Sequence, residues 1–263
     1  MAALPQCERI SSGAATASRI GLGPDLAIVH SLLADASAFE PVLPWLSERF
    51  RVTLVNLPGF HGSAPVKAGI ENYAGWLVEA CEGLGVAPGA TVIANGFGGT
   101  VVLALAAKKD GWLGKLILSD VAAGFPPEGR KAFEVMATKV ENEGMASVAT
   151  IAANRVFHPA YLAAHPEAVE ERRQVLLGVQ QEAFIAACKT LLTVDLTPEL
   201  AKIVNAALVV CGELDAATPP SLCQALAKAL PQGRYVEISQ CGHCPPLEQP
   251  QAFISVISEF LGA

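Results

Sequence analysis

Two polar side chains in the last quarter of the chain have the residue types that a proton-transferring pair requires. His243 follows Gly242 at the end of an apolar run, and Asp215 closes an earlier apolar run. An imidazole oriented by a carboxylate can take a proton from an oxygen nucleophile, and general-base help of this kind is worth about 10²–10⁴-fold in rate. We therefore take His243 as a candidate general base and Asp215 as the acid that orients it.

An earlier stretch, TVIANGFGGTVVLAL at residues 91–105, has the pattern of a strand, a sharp turn and a helix. Such a turn carries a nucleophilic serine in the pattern G-x-S-x-G, and in that arrangement an Asp and then a His follow later in the chain. Here the central position is Gly96, Ala94 replaces the first glycine, and Gly98 keeps the second. A covalent intermediate at residue 96 is therefore excluded.

Short apolar runs predict the strands that must position these residues. They are rich in Val, Ile and Leu without alternation, which is typical of parallel strands covered on both faces. Helical patterns lie between several of them, so we predict an α/β fold with a mostly parallel sheet flanked by helices. In such sheets ligands bind beyond the carboxyl ends of the strands. The predicted strands lie within residues 25–32, 50–59, 90–96, 114–122, 206–215 and 234–242.

The alternation of strands and helices breaks at residues 124–198, where helical patterns follow one another. We predict that this segment is a helical cap inserted into a core formed by residues 1–123 and 199–263. The chain has 263 residues, 52% of them apolar, which is enough for one large core of this kind.

Composition excludes several classes of partner. The net charge is −7 and the 18 basic residues are scattered, so we expect neither nucleic acid nor a membrane as partner. The first 20 residues lack the pattern of a signal peptide, which favours the cytoplasm. The seven cysteines are irregularly spaced, and the C-x-x-C at residues 241–244 lies in the wrong context for thiol exchange. We predict no metal and no cofactor, a small-molecule substrate, and a possible homodimer.

The segments around Asp215 and His243 carry a family resemblance. CGELDAATPPSLCQALAKALP and ISQCGHCPPLEQPQAFISVISEFL resemble the acid-bearing and histidine-bearing segments of the α/β-hydrolase superfamily, with similarity over residues 18–261. HSLLADASAFEPVLPWLSERF, RVFHPAYLAAHPEAV and FIAACKTLLTVDL resemble the oxyanion loop and cap of the 3-oxoadipate enol-lactonase subfamily. The resemblance implies an α/β-hydrolase fold.

The resemblance also implies roles for single residues. His243 matches the triad base, Asp215 its acid, and the backbone N–H groups of Leu32 and Phe97 match the oxyanion hole. Gly96 occupies the nucleophile position, where the family pattern fails.

No other side chain is expected to replace the missing serine. Asn95 is expected to point elsewhere, and Ser31 is expected to lie too far from His243 to be activated. Water is then the expected nucleophile, in the space above Gly96. Further candidates for substrate binding are Ser31, Asn95, Asp120, Arg130 and Arg155. Asp120 is also an alternative orienting acid, and the cap arginines could equally lie on a solvated helix face.

Three functions remain open at the level of the sequence. The first is a cofactor-free hydrolase of a small ester, enol ester or lactone, in which the His–Asp pair activates water. The second is an inactive homologue that binds a small molecule, and in that case Gly96 is either a loss of catalysis or a substitution made to trap a ligand. The third is a lyase, isomerase or oxygenase in which the same pair moves a proton.

Overall fold

The computed structural model describes residues 7–108 and 111–262. Residues 1–6, which open the segment used to exclude a signal peptide, lie outside the described residues. The same is true of residues 109 and 110, near the end of the helical pattern that follows Gly98.

The described residues form one eight-stranded sheet with the order β1-β2-β4-β3-β5-β6-β7-β8. The strands β3 to β8 are parallel, whereas β1 pairs antiparallel with β2 and β2 antiparallel with β4. The strands are β1 (Glu8–Ser12), β2 (Ala15–Ile20), β3 (Asp25–Val29), β4 (Arg51–Val55), β5 (Thr91–Asn95), β6 (Leu116–Ser119), β7 (Ala207–Gly212) and β8 (Gly233–Ile238).

The strands β3 to β7 lie within the apolar runs that predict them, and β8 begins one residue before its predicted run. The apolar runs do not predict β1 and β2. Most side chains of β3 to β7 are buried, because helices cover both faces of the sheet. The residues of β1 are largely exposed, and those of β2 alternate between buried and half-buried. An edge hairpin of this composition lacks the continuous apolar run on which the prediction depends.

Helices follow most of the parallel strands, as the predicted fold class requires. They are α1 (Leu43–Ser47), α2 (Ile70–Gly83), α3 (Gly96–Lys108), α4 (Pro127–Glu143), α5 (Ala146–Val156), α6 (Pro159–Ala164), α7 (Glu167–Leu177), α8 (Gln181–Thr193), α9 (Pro220–Ala229), α10 (Pro245–Glu248) and α11 (Pro250–Leu261). Short 3₁₀ turns lie at Ala36–Val42 and Thr197–Lys202.

Within residues 7–108 and 111–262, no single helix is long and apolar enough to cross a bilayer. Helices α7 and α8 together meet the length and composition required, with a bend of 101° between them.

The two ends of the cap segment meet beside the sheet. An isolated antiparallel bridge pairs Gly124 with Asp195, and the Leu196 N–H donates to the Ala123 carbonyl at 2.8 Å. Helices α4 to α8 lie between these ends. The chain therefore leaves the sheet after β6 and returns to the same place before β7.

A buried ion pair ties α7 to the loop that follows β3. Arg172 donates from Nη1 to Asp35 Oδ1 at 3.0 Å and from Nη2 to Ser37 Oγ at 2.7 Å. His61 contacts the other oxygen of Asp35 at 2.7 Å. Burial raises the pKa of Asp35, but these hydrogen bonds and the charge of Arg172 outweigh it and leave the pKa below its usual value. The carboxylate is therefore a charged anchor for the cap.

Substitution Arg172→Met should weaken the folded state strongly. It keeps an apolar stem but removes one cation from a buried carboxylate, a change that typically costs about 3–5 kcal/mol. We expect the lower end of that range, because His61 and Ser37 still contact Asp35. The free energy of unfolding in urea measures the effect.

The matched control is Arg173→Met on the same helix. Arg173 pairs with Glu170 at 2.8 Å, but Glu170 is exposed and Arg173 is only half-buried. Exposed pairs contribute little, so we expect a much smaller loss than for Arg172→Met. Equal losses in the two variants would contradict the anchoring role of Arg172.

Candidate active site

The elbow between β5 and α3 is built on a glycine with a left-handed backbone. Gly96 is buried and has a φ of 52°, a conformation that glycine adopts without the strain that other residues incur. Gly98, two residues later, packs directly on the backbone carbonyls of Val29 and His30. The elbow therefore lies against the carboxyl end of β3, the strand adjacent to β5.

His243 and Asp215 form the hydrogen-bonded pair that the sequence predicts from their order. His243 Nδ1 lies 2.8 Å from Asp215 Oδ2, and a carboxylate can only accept, so Nδ1 carries the proton. The other oxygen of Asp215 accepts from the N–H groups of Ala217 and Thr218 at 2.7 and 3.0 Å. Nε2 of His243 is thereby left as the basic atom that faces the elbow.

Electrostatics make His243 a stronger base than a free imidazole. Burial opposes its charge, but the charge of Asp215 and the hydrogen bond to it, with smaller effects from Asp120 and Glu248, raise the pKa from 6.5 to about 9. The ring is only 4% exposed. A proton taken up at Nε2 is therefore strongly stabilised by the carboxylate behind the ring.

The loop that carries His243 is fixed by buried hydrogen bonds. Glu248 accepts from the N–H groups of Gly242 and Cys244, and Asn95 Nδ2 donates to the His243 carbonyl at 3.1 Å. The His243 N–H donates to the carbonyl of Val156, the last residue of α5, at 2.9 Å. The cap and the sheet thus both determine where the imidazole lies.

Ser31 lies much closer to His243 than the sequence analysis expects. Its Oγ is 3.3 Å from His243 Nε2, and the residue is only 3% exposed. The expectation that this hydroxyl is too distant is wrong, because the loop after β3 folds directly over the elbow. A Cβ at residue 96 would overlap Ser31 Oγ and would lie 2.9 Å from His243 Nε2. The space that the sequence hypothesis assigns to water above Gly96 therefore borders a serine hydroxyl.

A second buried histidine holds the backbone of Ser31. His30 Nε2 accepts from the Leu57 N–H at 3.0 Å, so its Nδ1 carries the proton and donates to the Ser31 carbonyl at 2.8 Å. Burial lowers the pKa of His30 to about 4, which keeps this ring neutral. Sequence analysis missed this role, although His30 directly precedes Ser31 at the end of a predicted strand.

A narrow cavity of about 30 Å³ opens in front of these groups. Leu32 and Phe97 line it beside Ser31, Gly96 and His243. Phe97 lies in the first turn of α3, where backbone N–H groups lack intrahelical acceptors. That Leu32 and Phe97 donate to an oxyanion stays a prediction.

Apolar side chains close the cavity, some from the cap and some from loops that follow the strands, and one side chain of the lining is cationic. Arg155 at the end of α5 lines it, and its buried Nε has no hydrogen-bond partner among the described residues. The apolar lining consists of Leu33, Ala122, Phe125, Phe133, Met136, Leu191 and Ala217.

Three other candidate substrate-binding residues do not line this cavity. Asn95 is turned back onto the carbonyls of Ser119 and His243. Arg130 donates from Nε to the Phe125 carbonyl at 2.7 Å. Asp120 is fully buried behind the His243–Asp215 pair. Asp215, and not Asp120, contacts His243 Nδ1. These side chains bond to backbone groups around the cavity.

The surroundings of Asp120 disfavour the charged form of its carboxyl group. Burial and the charge of Asp215 raise its pKa well above the usual value, against an opposing effect of His243. It accepts from the Gly212 N–H at 2.9 Å. Ligand atoms of Asp120, Asp215 and Cys211 lie within 4.8 Å of one another. Both oxygens of Asp215 already accept hydrogen bonds, so we assign no metal to this cluster.

Comparison with known proteins identifies the family. The sequence pattern of the alpha/beta hydrolase family matches residues 26–256. The chain therefore belongs to the alpha/beta hydrolase family, as the segments around Asp215 and His243 predict.

Curated relatives align over most of the chain. A pimeloyl-[acyl-carrier protein] methyl ester esterase of Aeromonas hydrophila is 27% identical over 256 residues, which cover 93% of this chain and 98% of that protein. The 3-oxoadipate enol-lactonase 2 of Acinetobacter baylyi is 25% identical over 233 residues, which cover 88% and 85%.

Solved structures share the whole architecture. The enol-lactonase of Burkholderia xenovorans LB400 superposes with a TM-score of 0.88 at 27% identity, covering 97% of this chain and 100% of that one. A thermophilic esterase of Thermogutta terrifontis, solved with malate bound, gives 0.86 at 29% identity and covers 98% of each chain. These relatives support the prediction from the sequence that the chain is an enzyme that acts on ester bonds.

Two of the buried histidines, His243 and His30, should titrate on opposite sides of pH 6.5. We expect a pKa above 6.5 for His243 and below 6.5 for His30, because only His243 has a carboxylate partner. NMR of ¹⁵N-labelled histidine rings measures both.

Substitution Asp215→Asn removes the charge and should lower the pKa of His243 while leaving that of His30 unchanged. His30 thus serves as the internal control. A His243 pKa at or below 6.5 in the wild type, or one that does not respond to the substitution, would contradict the assigned pairing.

Proposed function

We propose that this protein is a cofactor-free hydrolase of small carboxylic esters or lactones. His243 acts as general base, Asp215 orients it, and water is the oxygen that finally accepts the acyl group. The N–H groups of Leu32 and Phe97 stabilise the oxyanion.

One observation carries this proposal: the basic Nε2 of a carboxylate-held imidazole faces a cavity at the carboxyl end of the sheet. Hydrolysis of an ester needs an oxygen nucleophile to lose its proton as it attacks, and Nε2 is placed to accept that proton. Preorganised N–H donors at the developing oxyanion are worth about 10²–10³-fold each. Nε2 of His243 and the backbone N–H groups of Leu32 and Phe97 would meet both requirements without a side chain at residue 96.

The relatives support the same reaction class. Their names specify a methyl ester and an enol-lactone, and both belong to the bond type that this arrangement would cleave. An enol ester or other reactive ester suits the site especially well, since its leaving group departs more easily than that of an amide.

The cavity favours a compact acyl group with an anionic end. Its walls are mainly apolar, and the one arginine at its edge, Arg155, has a buried Nε that lacks an acceptor within the described part of the chain. A buried donor without a partner is costly, and a substrate carboxylate would supply the acceptor. We therefore propose esters of dicarboxylic acids, or lactones that bear a carboxylate, as the preferred substrates.

Substitution His243→Ala should abolish turnover while the fold survives. We expect kcat/KM to fall by about 10²–10⁴-fold, the usual value of a general base. The assay uses a panel of p-nitrophenyl esters, methyl esters and lactones, with circular dichroism to monitor the fold.

The matched control is His165→Ala, which changes a half-exposed histidine on the cap. We expect no loss of turnover in this variant. An unaffected rate in His243→Ala would refute the proposed base, and a wild-type protein that cleaves nothing in the panel would favour the inactive binding homologue.

Substitution Arg155→Met should discriminate between substrates. For an ester with a distal carboxylate we expect KM to rise by about tenfold or more, because a hydrogen bond to a charged group contributes about 1.5–3 kcal/mol. The neutral ester of the same length is the control, and its KM should change little. Equal effects on both substrates would contradict a carboxylate contact.

A further inference from the structure

The position of the Ser31 hydroxyl points to a nucleophile that the elbow itself does not provide. We propose that Ser31 is the catalytic nucleophile of this protein and forms a covalent acyl-enzyme. This inference rests on the proposed ester hydrolysis and adds the identity of the attacking atom. It replaces direct attack by water in the first half of the reaction.

The first argument is the contact with the base. Ser31 Oγ lies 3.3 Å from His243 Nε2, the ring atom that does not bond to Asp215. Nucleophile and base in this chemistry lie about 2.6–3.2 Å apart and often somewhat further before substrate binds. Ser31, His243 and Asp215 therefore form a continuous hydrogen-bonded series in the order that activates a hydroxyl.

Second, Ser31, in its observed conformation, and a side chain at the elbow exclude each other. A Cβ at residue 96 would overlap Ser31 Oγ, so the observed serine conformation requires glycine there. The Ser31 hydroxyl occupies the place from which a side chain at residue 96 would reach the base. Loss of the elbow side chain and approach of Ser31 are thus two parts of one arrangement.

The third argument is that the backbone of Ser31 is held rigidly. His30, neutral and fully buried, bridges the Ser31 carbonyl to the N–H of Leu57, and its ring packs edge-on against Phe60. A fixed backbone limits the directions in which the hydroxyl can point. The nucleophile is therefore preorganised without the strained elbow.

The oxyanion donors are the same whichever loop carries the serine. For a nucleophile at residue 96, one donor is the next N–H in the chain, Phe97, and the other comes from the opposite loop, Leu32. For a nucleophile at Ser31, Leu32 is the next N–H and Phe97 comes from the opposite loop. The loop that carries the nucleophile and the loop opposite it exchange roles. Leu32 and Phe97 remain the two donors in both cases, and both residues line the cavity.

The covalent step balances without any further reactant. His243 Nε2 takes the proton of the Ser31 hydroxyl while Oγ bonds to the ester carbonyl carbon and the C=O electron pair moves onto oxygen. The oxyanion collapses, the bond to the alkoxy oxygen breaks, and the alcohol leaves with the proton from Nε2.

The acyl group is then attached to Ser31 Oγ as an ester. Water loses a proton to Nε2 and attacks the same carbon, Ser31 leaves and regains the proton, and the carboxylic acid is released. Ester and water are converted to acid and alcohol with no change of oxidation state.

A fluorophosphonate probe tests the nucleophile directly. We expect one probe molecule per chain, located at Ser31 by peptide mass mapping, and loss of labelling in both Ser31→Ala and His243→Ala. With p-nitrophenyl acetate, Ser31→Ala should lower turnover by about 10²-fold or more, and rapid quenching of the wild type should reveal an acetyl group on Ser31. The exposed-serine control Ser255→Ala should label and turn over like the wild type.

The double variant Ser31→Ala/Gly96→Ser separates a nucleophile from a structural serine. We expect it to move the label to residue 96 and to recover part of the turnover lost in Ser31→Ala, because the hydroxyl then approaches the same base from the elbow. A serine needed only for folding would give no such transfer. The NMR pKa of His243 in Ser31→Ala reports whether the base is still in place.

The possible failures are distinguishable. Wild-type turnover in Ser31→Ala together with none in His243→Ala would overturn the role of Ser31 and leave ester hydrolysis by direct water attack standing. A label on any residue other than Ser31, or none, would also overturn it. If the wild type cleaves no ester, the proposed function fails, and His243-dependent labelling of Ser31 still decides which atom the base activates.

Discussion

The site depends on a single buried hydrogen bond, between His243 Nδ1 and Asp215 Oδ2. Burying an imidazole would by itself favour its neutral form, and the carboxylate reverses that preference. The same bond fixes the orientation of the ring, so that Nε2 rather than Nδ1 faces the cavity. Asp215 is in turn held by two backbone N–H groups, and the loop of His243 by Glu248 and Asn95. Much of the polar architecture at this edge of the sheet serves to keep one nitrogen in one place.

Glycine at the elbow and serine on the neighbouring loop form the second constraint. The strands β3 and β5 are adjacent and parallel, so the loops that follow them meet over the same point. A left-handed backbone at Gly96 keeps the elbow shape that the family uses, and the missing side chain leaves room for Ser31. Glycine at the elbow therefore accompanies a serine hydroxyl that reaches His243 from the neighbouring loop.

The cap contributes to the site as well as covering it. The carbonyl of Val156 holds the backbone of His243, Arg155 brings a cation to the cavity, and Arg172 ties α7 to the loop that begins with His30 and Ser31. Movement of the cap would thus disturb both the base and the serine.

Continuous apolar runs and residues at strand ends are local patterns, so the amino-acid sequence predicts the fold class, the parallel strands and the order of acid and base. It does not predict β1 and β2, because half-exposed strands lack such a run. The contacts among the candidate polar groups emerge only from the folded chain. Ser31 reaches His243 across 212 residues, whereas Asn95 and Arg130 turn to backbone carbonyls. A hydrogen bond depends on tenths of an ångström and on loop direction, and residues close in sequence set neither.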